Sequence, residues 1–201
     1  MEQARVALGW PTLDAMSQLQ LPDPPLTYES VLLRPWRQAD VPQNLMAFTD
    51  PVVQRFSWPQ AALFTEQDAG GYFVAQESAR LRGQEVQFAL VEPREPDKVL
   101  GGASLYCLNR EQATAMVGYW LGPQARGRGF ASTAVRLLAG WGFTTLGLAR
   151  VELTCAPDND ASARVAARCG FVREGVMRSH MAFKGGRRDT VLFSLLPGEV
   201  R

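Results

Sequence analysis

The chain reads as an α/β protein of the α+β type, a mixed and mostly antiparallel sheet flanked by helices, and three observations predict it. Apolar, strand-like runs at 86–91, 99–108 and 114–121 follow one another across short polar turns, which makes them antiparallel neighbours. The loop Gln124-Ala125-Arg126-Gly127-Arg128-Gly129 then joins the third run to a strongly apolar-periodic helix. Beyond it, a further strand and helix precede the last strands. Strand, glycine–arginine loop and helix form a phosphate cradle, because unobstructed backbone N–H groups and the positive end of a helix both favour an anion.

Length and composition bound the organisation. A chain of 201 residues, 46% hydrophobic and 20% charged, fills one core but not two ordinary domains. The expected division is an N-terminal extension over residues 1–25 and one domain over 26–201. Lys+Arg 21 against Asp+Glu 20 gives a net charge of +1, which argues against nucleic acid as the partner. Cys107, Cys155 and Cys169 have no CxxC spacing and lie in or beside apolar runs, as buried thiols in a reducing cytoplasm do. No leader is evident, and no apolar run approaches the roughly 18 residues of a membrane span, so a soluble, cytoplasmic protein without membrane attachment is expected.

In chain order, residues 1–25 hold Pro11, Pro22, Pro24 and Pro25 around a weak helical pattern, which predicts an extension that packs loosely or serves a partner. A first strand is expected from Tyr28 to Pro35, and a short helix over 39–48 with Pro42 tolerated in its first turn. Residues 50–64, with Phe56 and Trp58, read as an aromatic loop that either lines a pocket or caps the core. Thr65-Glu66-Gln67-Asp68 is a capping signal for a helix running to about Arg82. After the three strands and the loop, Phe130, Ala134, Leu137, Leu138, Trp141 and Thr145 fall on one helical face, and that helix stops at Gly147. A strand over Arg150–Cys155 precedes a helix that Asn159 caps and Gly170 ends. A bend at Glu174-Gly175, a mobile segment at 184–188 and a last strand over 190–196 complete the chain.

Three phosphate ligands compete for the loop. A nucleoside triphosphate loop needs Gly-Lys-Ser/Thr where this chain has Gly127-Arg128-Gly129-Phe130. A dinucleotide fingerprint needs a third glycine at Ser132, within a βαβ unit rather than after an antiparallel meander. The run Gln124-x-x-Gly127-x-Gly129-Phe130-Ala131 instead resembles the coenzyme-A signature of the GNAT acetyltransferase superfamily. Leu32-Leu33-Arg34-Pro35-Trp36, Gly118-Tyr119-Trp120-Leu121, Asp158-Asn159-x-x-Ser162, Cys169-Gly170-Phe171-Val172-Arg173-Glu174-Gly175 and the ending 189–196 are similar to its RimJ/RimL ribosomal-protein N-acetyltransferase branch. The resemblance covers roughly residues 26–197.

That resemblance implies a GNAT fold, with the sheet splayed at an acetyl-coenzyme-A site and a bulge in the strand before the loop. It implies that Trp120, Leu121 and Gly122 pair with the pantetheine arm, one N–H among them polarising the thioester oxygen. The N–H groups of Arg126, Gly127, Arg128, Gly129, Phe130 and Ala131 would hold the pyrophosphate, with Ser132 or Thr133 adding a hydroxyl. Asn159 would face the cofactor arm while capping its helix. Ser162 would stand where it can help protonate the coenzyme-A sulfur.

The general base stays open. The glutamate that RimL carries after its Glu-Gly turn falls at Met181 here, a departure from the branch. His180 has a suitable unperturbed pKa of about 6.5 but neighbours Met181, so the two should face opposite sides of a strand. Glu152 is a second candidate, and a water chain to solvent a third. Phe56, Trp58 and Tyr106 are expected to line the acceptor pocket, which lacks the dense acidic cluster a polycation would favour. The expected function is N-acetylation of a primary amine, a protein N-terminus or a small molecule, by direct attack on acetyl-coenzyme A. The alternatives are a catalytically weak acyl-coenzyme-A or partner-binding module, and a resistance enzyme acting on a drug or toxin amine. One histidine and scattered carboxylates offer no metal spacing, and the family's habit implies a homodimer.

Overall fold

The computed structural model describes residues 18–60, 62 and 64–201. The strand expected at 28–35 is a hairpin, β1 (Leu26–Tyr28) and β2 (Val31–Arg34), because Glu29 takes a left-handed φ of 50° and turns the chain. A 3-10 turn at Gln38–Asp40 leads into α1 (Val41–Ala47), with proline in its first turn. The aromatic stretch contains a helix that the sequence reading missed, α2 (Pro51–Phe56). The Asp50 carboxylate caps it by accepting from the N–H groups of Val52 and Val53, and Pro51 forfeits no bond at the first position. The Thr65–Asp68 capping box forms and opens α3 (Glu66–Leu81).

The meander follows as β3 (Val86–Val91), β4 (Gly101–Asn109) and β5 (Thr114–Leu121). A 3-10 turn at Pro123–Ala125 and the glycine–arginine loop lead into α4 (Phe130–Thr144). Then come β6 (Arg150–Cys155) and α5 (Asp160–Cys169), capped by Asn159 and closed by Gly170, as the sequence predicts. The final hairpin is longer than expected: β7 (Val172–Phe183) and β8 (Gly186–Leu195). The Glu174-Gly175 bend is a bulge within β7, and a second bulge lies between Met177 and Met181. The segment expected to be mobile is a tight turn at Lys184 and Gly185, so Arg187 and Arg188 belong to β8.

The sheet order is β1-β2-β3-β4-β5-β6-β8-β7, antiparallel everywhere except between β5 and β6. Central strands are covered on both faces, so β3 reads as a continuous apolar run rather than an alternation. Its Phe88 and Leu90 pack with α4 and α5, whereas Ala89 and Val91 pack with Val41, Phe48, Val53 and Phe64 on the opposite face.

Two expectations are corrected here. Residues 1–17 of the extension lie outside the described residues, but Leu19 is only 1% exposed and its N–H donates to the Arg80 carbonyl, so this part packs into the core rather than loosely. Cys107 is exposed, because the β4 bulge places it at a φ of 51°, outside the alternation; Cys155 and Cys169 are buried. Among the described residues no helix is long and apolar enough to cross a membrane.

Candidate active site

The site begins where the sheet opens. β5 and β6 run parallel and pair at only three positions, Thr114 with Arg150, Ala115 with Val151 and Met116 with Glu152; beyond Met116 they diverge. The even register of β5 against β4, together with the 2.9 Å bond from the Gly122 N–H to the Leu100 carbonyl, fixes which way each backbone group points. Gly118, Trp120 and Gly122 turn their amide groups to β4. Tyr119 and Leu121 turn theirs to the opening, as Ala113 does lower down, where its carbonyl accepts from Ala149 at 2.7 Å. The expected bulge in β5 is therefore absent. It sits on β4 between Tyr106 and Asn109, and the opening comes from the early end of the parallel ladder.

A cleft of about 660 Å³ fills the opening and reaches from the glycine–arginine loop to the turn of the last hairpin. Gly127 and Gly129 adopt φ of +74° and +84°, where a side chain would be strained, although a Cβ at either would meet nothing. Glycine is needed here for the turn rather than for room. Among the described residues the N–H groups of Gly127 to Ser132 donate to no protein acceptor. They are the free donors at the positive end of a 15-residue helix.

The two loop arginines are not loosely solvated. Arg126 donates to the Leu121 carbonyl from Nε at 3.2 Å and Nη2 at 3.0 Å, and pairs with Asp50, the α2 cap. It ties the strand end to that helix and takes up the one carbonyl at Leu121. Arg128 pairs with Glu92 at 2.7 Å and covers the Phe130 ring, and Phe130 itself is buried in the core. Phe130 can therefore reach a ligand only through its backbone, and neither side chain lines the cleft. Gly122 does not line the cleft, and its N–H is spent on Leu100.

Halfway along, the Tyr119 phenol donates to the Ser162 hydroxyl at 3.1 Å. Ser162 sits in the first turn of α5, where its N–H donates to the Asn159 side chain, also at 3.1 Å. Burial is the main reason the Tyr119 phenol is pushed up to about 12, so it stays protonated at neutral pH. Burial also pushes up the Cys155 thiol, which neighbours Ser162. Tyr119 is a residue the sequence reading missed. Its alternation phase, opposite to Trp120 on β5, was the available signal.

The far end is lined by Phe56, Tyr72, Gln87, Tyr106, Met181, Phe183 and Arg188. The Tyr72 hydroxyl donates to the Gln87 side chain, and burial pushes the Tyr106 phenol up to about 12. Phe56 and Tyr106 thus stand where expected, whereas Trp58 does not: it packs on Phe48 and Phe64 and donates from Nε1 to the Ala62 carbonyl. Neither candidate base lines the cleft. His180 is exposed in the second β7 bulge, with Nδ1 2.8 Å from the Thr190 hydroxyl, and Met181 faces the cleft instead. Glu152 closes the β5–β6 ladder and accepts from Arg150 at 2.8 Å. Among the described residues no carboxylate and no imidazole lines the cleft, and no group of three His, Cys, Asp or Glu could hold a metal.

Comparison with known proteins gives the arrangement a context. Residues 30–172 match the family described as Acetyltransferase (GNAT) domain. The uncharacterized N-acetyltransferase p20 of Bacillus licheniformis is 37% identical over 119 residues, 59% of this chain and 66% of p20. The chain thus spans just under two thirds of that relative. The ribosomal-protein-serine acetyltransferase of Escherichia coli is 29% identical over 141 residues, 70% of this chain and 76% of that enzyme. Mycobacterium smegmatis RimJ, solved in complex with CoA-disulfide, superposes with a TM-score of 0.75 at 22% identity, covering 85% of this chain and 84% of RimJ, a likeness of fold.

Proposed function

The chain belongs to the GNAT acetyltransferase family, and from that premise we propose that it is an N-acetyltransferase that moves an acetyl group from acetyl-coenzyme A to a primary amine. The observation that carries the reading is the opening of the β5–β6 ladder beside a row of unbonded N–H groups at the start of α4. That arrangement suits an extended, amide-bearing arm ending in a pyrophosphate. The N–H groups of Gly127 to Ser132 would hold the pyrophosphate, and the amide groups of Tyr119 and the N–H of Leu121 would pair with the arm. Asn159 and Ala131 line the same stretch.

Acetyl-coenzyme A would supply an activated acetyl group, as a thioester that an amine attacks directly. The chain's part is to polarise a carbonyl, to protonate a leaving sulfur and to exclude water. The Leu121 N–H, fixed by the β4 ladder and free on the cleft side, is the donor available for the carbonyl oxygen. Ser162 is the hydroxyl placed for the sulfur, and Tyr119 behind it restores the proton. Without a carboxylate or imidazole in the lining, the amine loses its proton to solvent. The cationic lining assists by disfavouring the ammonium form.

The acceptor is a peptide N-terminus or a small amine, since the aromatic wall of Phe56, Tyr106 and Phe183 carries no acidic group to attract a polycation. The test is thiol release from acetyl-coenzyme A by the purified protein over peptide N-termini and small amines, with coenzyme-A affinity measured alongside. Acceptor-dependent release supports the reading. Tight coenzyme-A binding with no release on any acceptor would leave a binding module instead.

A further inference from the structure

We propose that the acceptor amine carries an anionic group, a carboxylate or a phosphate, and that Arg188 is the side chain that selects it. The proposal rests on the acetyl-transfer reading above and names the class of its second substrate.

Arg188 lies at the start of β8 and lines the acceptor half of the cleft. Its guanidinium carbon lies over the Phe183 ring, 3.6 Å from the centroid. Nη2 donates to the Phe56 carbonyl at 3.2 Å and also contacts the Met181 sulfur at 3.7 Å. These contacts fix the orientation of the group and leave most of its donors unspent. Nε is buried without a partner. The contacts are not needed to fasten the hairpin, because the Lys184 N–H already donates to the Pro59 carbonyl at 2.6 Å.

No carboxylate neutralises this cation. Arg126 is paired with Asp50 and Arg55 with Asp158, whereas Arg188, like Arg164 and Arg168 elsewhere in the lining, forms no ion pair among the described residues. The field of Asp158 reaches it, but that carboxylate is engaged with Arg55 at 2.5 Å. Burial accordingly disfavours the charged form of Arg188. A partly desolvated cation whose buried Nε has no partner is costly in the empty site, and a charge-assisted bond to an anion relieves that cost. No acidic residue lines the cleft to compete for it.

The placement suits a substrate group. Arg188, Cys155 and Ser162 line one cleft, so an anion at Arg188 shares that cleft with the reacting end. An aromatic wall on one side and a fixed cation on the other would orient an amine that carries its anion a few bonds from nitrogen.

The experiment titrates the coenzyme-A-loaded protein calorimetrically with matched pairs: β-alanine against β-alaninamide, phosphoethanolamine against ethanolamine, and a Ser-Glu peptide amide against its Ser-Gln counterpart. Thiol release from acetyl-coenzyme A is followed in parallel. The anionic member of at least one pair should bind about tenfold tighter or better, and the carboxylate and phosphate pairs tell the two anions apart. Arg188→Met should abolish the preference and Arg188→Lys keep part of it, with coenzyme-A affinity unchanged in both. Acetylation without an anionic preference overturns this inference and leaves the acetyltransferase standing. A preference in binding without turnover keeps Arg188 as the anion-selecting side chain but overturns the acetyl-transfer reading and with it the acceptor role, and the absence of both overturns both. Equal weakening of charged and neutral members in Arg188→Met would make the residue structural and also overturn the inference.

Discussion

The Tyr119 hydroxyl donates to the Ser162 hydroxyl at 3.1 Å across the opening between β5 and α5, with the Ser162 N–H held in turn by Asn159. Because burial keeps the phenol protonated up to about 12, the pair is a donor chain at neutral pH. Ser162→Ala should lower kcat by about 10²-fold, and Tyr119→Phe by less, with coenzyme-A affinity barely changed. The double variant should be no slower than Ser162→Ala, since both act on one proton. Multiplying losses in steady-state rates would show two independent roles.

The positive φ of Gly127 and Gly129 makes a different prediction, on binding rather than on rate. Gly127→Ala and Gly129→Ala should each weaken coenzyme-A binding, because an alanine held in the left-handed region costs about 1–2 kcal/mol and the loop relaxes away from it. Calorimetric titration checks this. Unaltered affinity in both variants would take the pyrophosphate away from this loop.

His180 points to solvent and to Thr190 rather than into the cleft. His180→Ala is therefore expected to leave the acid limb of the pH–rate profile in place. A limb that flattens in the variant would restore His180 as the base.

A stability prediction follows from the buried ion pair of Arg34 and Asp40. Arg34 grips Asp40 with two bonds of 2.7 and 2.8 Å, donates from Nε to the Pro96 carbonyl, and Asp40 also accepts from the Arg37 N–H. Asp40→Ala strands a buried guanidinium and should destabilise the fold by about 3–5 kcal/mol. Urea unfolding measures the loss, and a midpoint close to the parent's would contradict it.

Acid sensitivity should appear at Glu174. The Arg150 guanidinium, backed by the Ser194 hydroxyl, holds this carboxyl down at about 2 against an ordinary value of 4.5. The folded value lies below the unfolded one, so the pairing stabilises the fold fully above pH 4.5 and less as pH falls towards 2. Glu174→Gln should be less stable than the parent at pH 7, with the gap narrowing through that window. Urea midpoints measured against pH test the slope, and a constant gap would mean the carboxylate is not ionically coupled.

How much of this was legible beforehand depended on the range of the forces involved. The Thr65–Asp68 capping box, the Asn159 cap, the start of α4 and the bounds of β5 and β6 all follow from neighbours within a few residues. Asp50-Pro51 carried an equally local helix start, overlooked beneath the aromatic content of its surroundings. The bulge at Ser179 could not be read in the same way. It depends on Asp189 accepting from the Ser179 N–H at 2.7 Å across the hairpin.

The sequence by itself determined the order of elements from α3 to α5 and the glycine-shaped turn before α4, because spacing and backbone conformation are written locally, and its motifs carried the likeness to the family. Only the tertiary structure decided what faces the cleft. It set Tyr119 on Ser162, turned His180 out, tied Glu152 to Arg150, spent Arg126 on Asp50 and left Arg188 without a counter-charge. Except for Arg150 and Glu152, two residues apart on β6, each of these depends on contacts between different elements. Where a charge finds its partner is a property of packing between distant segments, which no local pattern encodes.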